Sequence, residues 1–304
     1  MKKIALALAG GGARGMAHIG AIEELEKAGY TITSISGTSI GSLVGGMYAA
    51  GKLDEFTEWV RSLDRLDVLR MMDVVISKNG LLKGEKVFKQ IREMLGDVKI
   101  EELPLPYAAV AVDILRHEEI VFREGLLADA IRASVAVPTV LKPFHWKGRD
   151  LVDGGVLNPL PLDVIHRVPG DLLVAVDLNA DMPYEQAELT KEQEERNQIY
   201  QKSFEFINEK WNAFFRNSKG KSKSVGFFDL ATQSITAMQL KLTQLAIERY
   251  KPDLVIPVSK WACDLFEFHR TSELIEYGRR QARLFIPELE KKTNASGPES
   301  QKVN

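Results

Sequence analysis

Cysteine is the scarcest residue in this chain of 304: Cys263 stands alone. A single cysteine excludes an intrachain disulfide and a cysteine-built metal site, and it suits a reducing compartment, so a cytoplasmic location is expected. An excess of either charge is also missing. Forty Lys and Arg against 42 Asp and Glu leave a net charge of −2. That balance supplies no general pull toward the polyanionic backbone of nucleic acid, and no nucleic-acid partner is expected. Nor does any window approach the ~18 consecutive apolar residues of a membrane span. The opening "MKKIALALAGGG" has the paired lysines of a secretory leader, but only six apolar residues separate them from the glycines. A leader needs roughly 7–15, so this stretch reads as a first strand and membrane contact is expected to be peripheral.

A more local absence decides the next question. Gly10, Gly12 and Gly15 fit G-x-G-x-x-G after the apolar run Ile4 to Ala9, as in a dinucleotide-binding turn. That fingerprint also needs an acidic residue about 20 positions on, to hold the ribose hydroxyls. The stretch "AGYTITSISGTSIGSLVGGMYAAG", between Lys27 and Lys52, carries no charge at all. No Gly-Lys-Ser/Thr follows the glycines, so a Walker phosphate loop is excluded as well. No cofactor and no metal are expected.

What is present is an alternation of strand and helix. Ile19, Ile22 and Leu25 recur at helical spacing and Gly29 stands where a left-handed cap belongs. Thr31 to Ser36 reads as a short strand, "GTSIG" as a sharp turn, and Leu43, Val44, Met47 and Tyr48 as a second helix ended by Gly51. Tyr107 to Leu115, "EIVFRE", Asp171 to Leu178 and Asp253 to Ser259 add further strands with helical segments between them. Apolar runs of this kind are buried on both faces, which predicts an α/β fold with a mostly parallel central sheet flanked by helices on both sides.

One domain over 1–290 is expected, with a polar insertion at about 180–225 and a disordered tail at 291–304. Inside the insertion Phe204, Ile207, Trp211, Phe214 and Phe215 repeat at three- and four-residue spacing, one aromatic stripe on a helix. Such a stripe packs into its own core or lies as a lid at a lipid surface, where it provides peripheral membrane contact.

Gly37-Thr38-Ser39-Ile40-Gly41 fits G-x-S-x-G, in which a serine sits on a tight strand-to-helix turn with its hydroxyl pushed into a cleft. Gly37 and Gly41 are steric necessities of that turn. The opening loop then gains a second job, because backbone N–H groups at a helix N-terminus suit the negative oxygen created when a serine attacks an acyl carbon.

The serine needs a proton acceptor. An ordinary α/β-hydrolase places histidine last in chain order, and of His18, His117, His145, His166 and His269 none stands out. His269 begins a polar-faced helix, His166 falls at a helix end, and His18, one turn into the first helix, packs or hydrogen-bonds locally. Another candidate is Asp153, which follows a short strand and precedes Gly154 and Gly155, although Asp-Gly-Gly is equally good turn chemistry.

Gly-Gly-Gly-Ala-Arg-Gly at 10 to 15, Gly-Thr-Ser-Ile-Gly at 37 to 41, "RASVAVP" at 132 to 138 and Asp-Gly-Gly at 153 to 155 together resemble the patatin-like phospholipase family, in its bacterial, neuropathy-target-esterase-like branch. These four motifs span about half the chain. The resemblance implies a three-layer α/β/α fold and a serine–aspartate dyad: Ser39 as nucleophile, Asp153 as base, and the loop of Gly10, Gly11, Gly12, Ala13, Arg14 and Gly15 as oxyanion hole. It implies a lipid or other carboxylic ester as substrate. Unperturbed Asp titrates about 2.5 pH units below His, a deficit of roughly 3.5 kcal/mol in proton affinity, which burial beside the serine is expected to reduce. Two alternatives stay open: an α/β-hydrolase-type esterase with a histidine base, and a non-catalytic lipid-binding or regulatory module.

Overall fold

The computed structural model describes residues 2–71, 84–138, 140–184 and 227–295. The first strand is β1, Lys2–Leu8. Its Ile4, Leu6 and Leu8 and its Ala5 and Ala7 are all fully buried, so layers cover both of its faces. A short 3-10 turn, Gly12–Gly15, leads into α1, Met16–Lys27. Gly29 caps that helix at φ +81°, where L side chains are rarely found, with its N–H donating to the Glu26 carbonyl. Then come β2, Tyr30–Thr38, and α2, Ile40–Ala49.

The middle of the described chain supplies α3 (Leu53–Ser62), α4 (Arg65–Met71), α5 (Glu85–Leu95), β3 (Tyr107–Asp113), β4 (Glu118–Phe122), α6 (Leu127–Ser134), β5 (Phe144–Trp146) and β6 (Arg149–Asp153). The last part adds β7 (Leu172–Ala180), α7 (Phe227–Tyr250), β8 (Leu254–Ser259) and α8 (Thr271–Ala295).

Among the described residues the strands form one sheet in the order β5-β6-β3-β2-β1-β7-β8, with β4 added on β3. Five neighbouring strands, β3, β2, β1, β7 and β8, are parallel, as the apolar runs predict. Antiparallel pairing is confined to β4, β5 and β6 at one end. Both faces are covered by helices, and buried apolar side chains from Ile4 to Leu289 form one continuous core. On α1 and α8, Gly20 and Gly278 let the two helices touch through their backbones; a Cβ on either would lie 2.0 Å from a carbonyl oxygen of the other helix.

Two details of this sheet position the site. First, β4 pairs with β3 over Ala109 to Asp113, while the opposite edge is shared end to end: β2 takes Tyr107 to Val110 and β6 takes Ala111 to Asp113. Thr38 faces Val110 and Asp153 faces Ala111, so the end of β2 meets the end of β6 at adjacent positions on one strand. Second, Ser34, Ser36 and Thr38 alternate along β2 and donate hydrogen bonds to the carbonyls of His166, Pro161 and Asn158. This row of hydroxyls lashes the chain that follows Asp153 onto the face of β2.

Two expectations are corrected. His166 lies in irregular chain, exposed, its carbonyl taken by Ser34. Helix α8 continues through Ala295, so the first five residues of the tail expected to be disordered are helical. The aromatic stripe Phe204, Ile207, Trp211, Phe214 and Phe215 lies outside the described residues, as does most of the 180–225 segment.

Candidate active site

Ser39 sits between β2 and α2 at φ 55°, ψ −125°, a region that costs a non-glycine residue of order 1–3 kcal/mol. Close packing imposes this conformation. A Cβ on Gly37 would lie 2.4 Å from the Gly41 carbonyl oxygen, and one on Gly41 would lie 2.3 Å from that of Leu8. The Ser39 N–H is held by the Ser134 hydroxyl at 2.9 Å, from the last residue of α6. With the backbone pinned on both sides, the side chain has one place to go.

It goes to Asp153. The Ser39 hydroxyl donates to Oδ2 of Asp153 at 2.5 Å, joining residues 114 positions apart. Oδ1 accepts the Gly155 N–H at 2.7 Å, so both carboxylate oxygens are engaged and the plane is fixed. Gly154 allows the tight turn, since a Cβ there would lie 2.3 Å from the Val110 carbonyl oxygen. Ser39 and Asp153 are both buried. Burial pushes the Asp153 carboxyl up to about 6, outweighing the hydrogen bonds from Ser39 and Gly155 that favour the ionised form.

The glycine loop lies against the elbow: a Cβ on Gly10 would touch that of Ser39 at 3.2 Å, and one on Gly15 would overlap Ile40. The N–H groups of the loop are not equally free to donate. The N–H of Gly10 is spent on the Pro159 carbonyl and that of Ala13 on Leu265, each at 2.9 Å. Arg14 and Gly15 fall inside the 3-10 turn. The N–H groups of Gly11 and Gly12 have no backbone acceptor among the described residues, and both glycines line a cleft with Ser39. Gly12 has φ +59°, and a Cβ there would strike Leu265. A third donor, the Ile40 N–H, has no intrahelical acceptor at the start of α2 and was not among the residues read from sequence.

None of the five histidines bonds to Ser39. His18 is fully buried, its Nε2 2.9 Å from the Ala9 carbonyl oxygen. Burial pushes its pKa down to about 4, so the ring is neutral at pH 7. His145 pairs with Asp150 at the surface, His117 is exposed, and His269 belongs to the turn before α8. No cluster of three or more His, Cys, Asp or Glu suited to a metal occurs among the described residues.

Two cavities meet at Ser39 and Gly12. One, of about 170 Å³, is apolar and lined by α2, α3 and α5 through side chains such as Leu43, Phe56, Val60, Phe88 and Ile91. The other, of about 390 Å³, is of mixed character: Asp153, Gln239 and Lys260 bring polar groups to a wall that also holds Val156, Leu240 and Trp261.

These features define a class: an α/β protein carrying an elbow serine bonded directly to a buried carboxylate, beside a glycine loop with unspent N–H groups. The patatin-like phospholipase family profile matches residues 6–166, a span containing both Ser39 and Asp153. The chain belongs to that family. An NTE family protein of Mycobacterium tuberculosis is 36% identical over 92% of this chain and 90% of its own length. Patatin-like phospholipase domain-containing protein 6 of Mus musculus is 34% identical over 58% of this chain and 14% of its own length. Among solved structures, VipD from Legionella pneumophila covers 95% of this chain and 67% of its own with a TM-score of 0.47 and 14% identity. Family membership points to lipid acyl hydrolysis. No described helix is long and apolar enough to cross a membrane.

Proposed function

We propose that the protein is a serine lipid acyl hydrolase in which Ser39 is the nucleophile and Asp153 the general base. The observation that carries this reading is the 2.5 Å hydrogen bond from the Ser39 hydroxyl to Asp153, made at the junction of an apolar cavity and a mixed one. As Ser39 Oγ attacks the ester carbonyl carbon, its proton passes to Asp153 and the carbonyl oxygen becomes an oxyanion. Gly11, Gly12 and Ile40 supply N–H groups to that oxygen, and the N-terminus of α2 adds its partial positive charge. Collapse of the tetrahedral species breaks the ester C–O bond, and Asp153 returns its proton to the departing alcohol. Water, deprotonated by Asp153, then hydrolyses the acyl-enzyme and regenerates Ser39.

A carboxyl raised to about 6 is a stronger base than ordinary aspartate and remains mostly ionised at pH 7. The apolar cavity suits an acyl chain and the larger cavity, with Gln239 and Lys260 on its wall, the alcohol portion, which favours phospholipids, lysophospholipids or related carboxylic esters. A lipid substrate, with a single cysteine that suits a reducing compartment, favours peripheral work at a membrane from a cytoplasmic location.

Hydrolysis of a p-nitrophenyl ester and of phospholipid vesicles tests the reading. Ser39→Ala and Asp153→Asn are each expected to abolish release of p-nitrophenol and of fatty acid. Normal turnover by either variant overturns it, and substantial turnover by Asp153→Asn alone returns the base to a histidine. A fluorophosphonate probe should label wild type and not Ser39→Ala; a wild-type protein inert to both probe and esters is the binding module instead.

A further inference from the structure

The catalytic value of Gly11 and Gly12 depends on the direction of their N–H groups. Glycine resists rotation of its flanking peptide planes least of all residues, so something else must set the planes. The described peptide bonds are all trans, and in a trans peptide the C=O and N–H point in opposite directions. Anchoring one residue's carbonyl therefore aims the next residue's N–H.

Three successive carbonyls of the loop are anchored from behind. His18 donates from Nε2 to Ala9 at 2.9 Å, and the Gly10 N–H of that peptide goes to Pro159. Asn179 donates from Nδ2 to the Gly10 carbonyl at 3.0 Å, which sets the Gly11 N–H. Arg14 donates from Nε to the Gly11 carbonyl at 3.1 Å, which sets the Gly12 N–H. The last two anchors brace each other, because Arg14 Nη2 donates to Asn179 Oδ1 at 3.3 Å while its Nη1 is fixed on the Lys260 carbonyl at 2.8 Å. Only one orientation of the Asn179 amide satisfies both neighbours. Asn179 is itself held at the end of β7, its N–H donating to Asp177 Oδ1 at 2.9 Å, and it is buried. It lines neither cavity.

We propose that Asn179 is a positioning residue: by holding the Gly10 carbonyl and bracing Arg14, it aims the N–H groups of Gly11 and Gly12 at the oxygen of the reacting ester. The inference rests on the reading of Ser39 as an acyl-transfer nucleophile. Asn179 touches no substrate, so it acts on the transition state through the loop and leaves ground-state binding alone.

Asn179→Asp and Asn179→Ala test this at pH 8 with a p-nitrophenyl ester and with an alkyl trifluoromethyl ketone, whose adduct with Ser39 carries the oxyanion. The Asp variant keeps the size and the acceptor for Arg14, so it keeps the fold, but it turns an oxygen toward the Gly10 carbonyl. Since losing one oxyanion donor costs ~10²–10³-fold in kcat, both variants are expected to lower kcat by about 10²-fold with KM within about 3-fold of wild type. The affinity for the ketone should fall in proportion to kcat/KM. A kcat within about 3-fold of wild type overturns the proposal, as does ketone affinity that stays at the wild-type value while kcat falls. Ser39→Ala, assayed in parallel, separates the two claims: its inactivity leaves the nucleophile reading standing whatever the Asn179 variants do, and its full activity removes that reading first.

Discussion

Asp153→Asn should stabilise the folded protein while abolishing catalysis, and by an amount that depends on pH. The carboxyl titrates near 6 in the native site against 3.8 unperturbed, because burial penalises the charged form more than two hydrogen bonds favour it. The native state thus holds the proton more tightly than the unfolded chain. Its contribution to stability is fully present below about pH 3.8 and is lost as pH rises through 6. At ~1.36 kcal/mol per pH unit, the loss above pH 6 amounts to about 3 kcal/mol. Asparagine is neutral at every pH and has the same shape. Its Oδ1 can accept the Gly155 N–H and its Nδ2 can donate to the Ser39 hydroxyl, so both contacts survive. For a chain of this size a gain of ~3 kcal/mol raises the melting temperature by roughly 5 °C. Asp177, also pushed up to about 6 by burial, is common to both proteins and cancels from the comparison. Calorimetric melts of both proteins from pH 4 to 8 should show the variant ahead at pH 8 and the two curves converging toward pH 4. A variant less stable than wild type at pH 8, or a difference that does not change with pH, refutes the account of Asp153 as a desolvated carboxylate.

The same titration governs rate: kcat/KM for a neutral ester should rise with pH through a single ionisation near 6 and then level off, because only the ionised carboxylate accepts the serine proton; a rate flat between pH 5 and 7.5 contradicts this. Ser134→Ala removes the acceptor of the Ser39 N–H, leaving a buried donor unpaired at a cost of about 1–3 kcal/mol. Fluorophosphonate labelling of Ser39 should slow by at least ~10-fold in that variant, and an unchanged labelling rate argues that α6 does not hold the elbow. Leu43→Trp, one turn beyond Ser39, fills part of the apolar cavity. At ~0.8 kcal/mol per methylene left unburied, displacing two or three methylenes should cost p-nitrophenyl octanoate ~10–50-fold in kcat/KM and spare the acetate; equal losses on both esters place the acyl chain elsewhere.

How much of this was legible in the sequence follows from the range of each interaction. The strand-turn-helix about Ser39 was readable because its requirements are local: Gly37 and Gly41 are demanded by atoms four residues apart or on the adjoining strand. The caps at Gly29 and Gly51 were readable for the same reason. Asp153 was not separable from an ordinary Asp-Gly-Gly turn by its neighbours, and only the family resemblance assigned it a role. What brings it to Ser39 is the sharing of one edge of β3 by β2 and β6, and no periodicity encodes which strands share an edge. The hydroxyls of Ser34, Ser36 and Thr38 stand at alternate positions of a segment legible only as a short strand, and nothing local says that their acceptors are the carbonyls of His166, Pro161 and Asn158, more than 100 positions away. Asn179 left none, since a polar residue at the end of a strand is ordinary. The helix-end reading of His166 failed because the lashing of this segment to β2 holds it without a helix.

Two of the costs in this fold lie in direct contact, the positive φ of Ser39 and the buried carboxylate of Asp153. Each alone would relax, the serine by turning its peptide and the aspartate by swinging toward water. Neither can, because Ser134 holds the serine N–H, Gly155 holds the second carboxylate oxygen, and the chain after Asp153 is tied to β2 at three points. Burial raises the proton affinity of the confined carboxylate and the hydrogen bond to the serine fixes a line of transfer, which are the two properties the proposed general base requires. The destabilisation that asparagine should relieve at position 153 and the basicity proposed for the reaction therefore share one cause, the burial of the carboxylate, so variants selected for greater thermal stability at this position are expected to lose turnover.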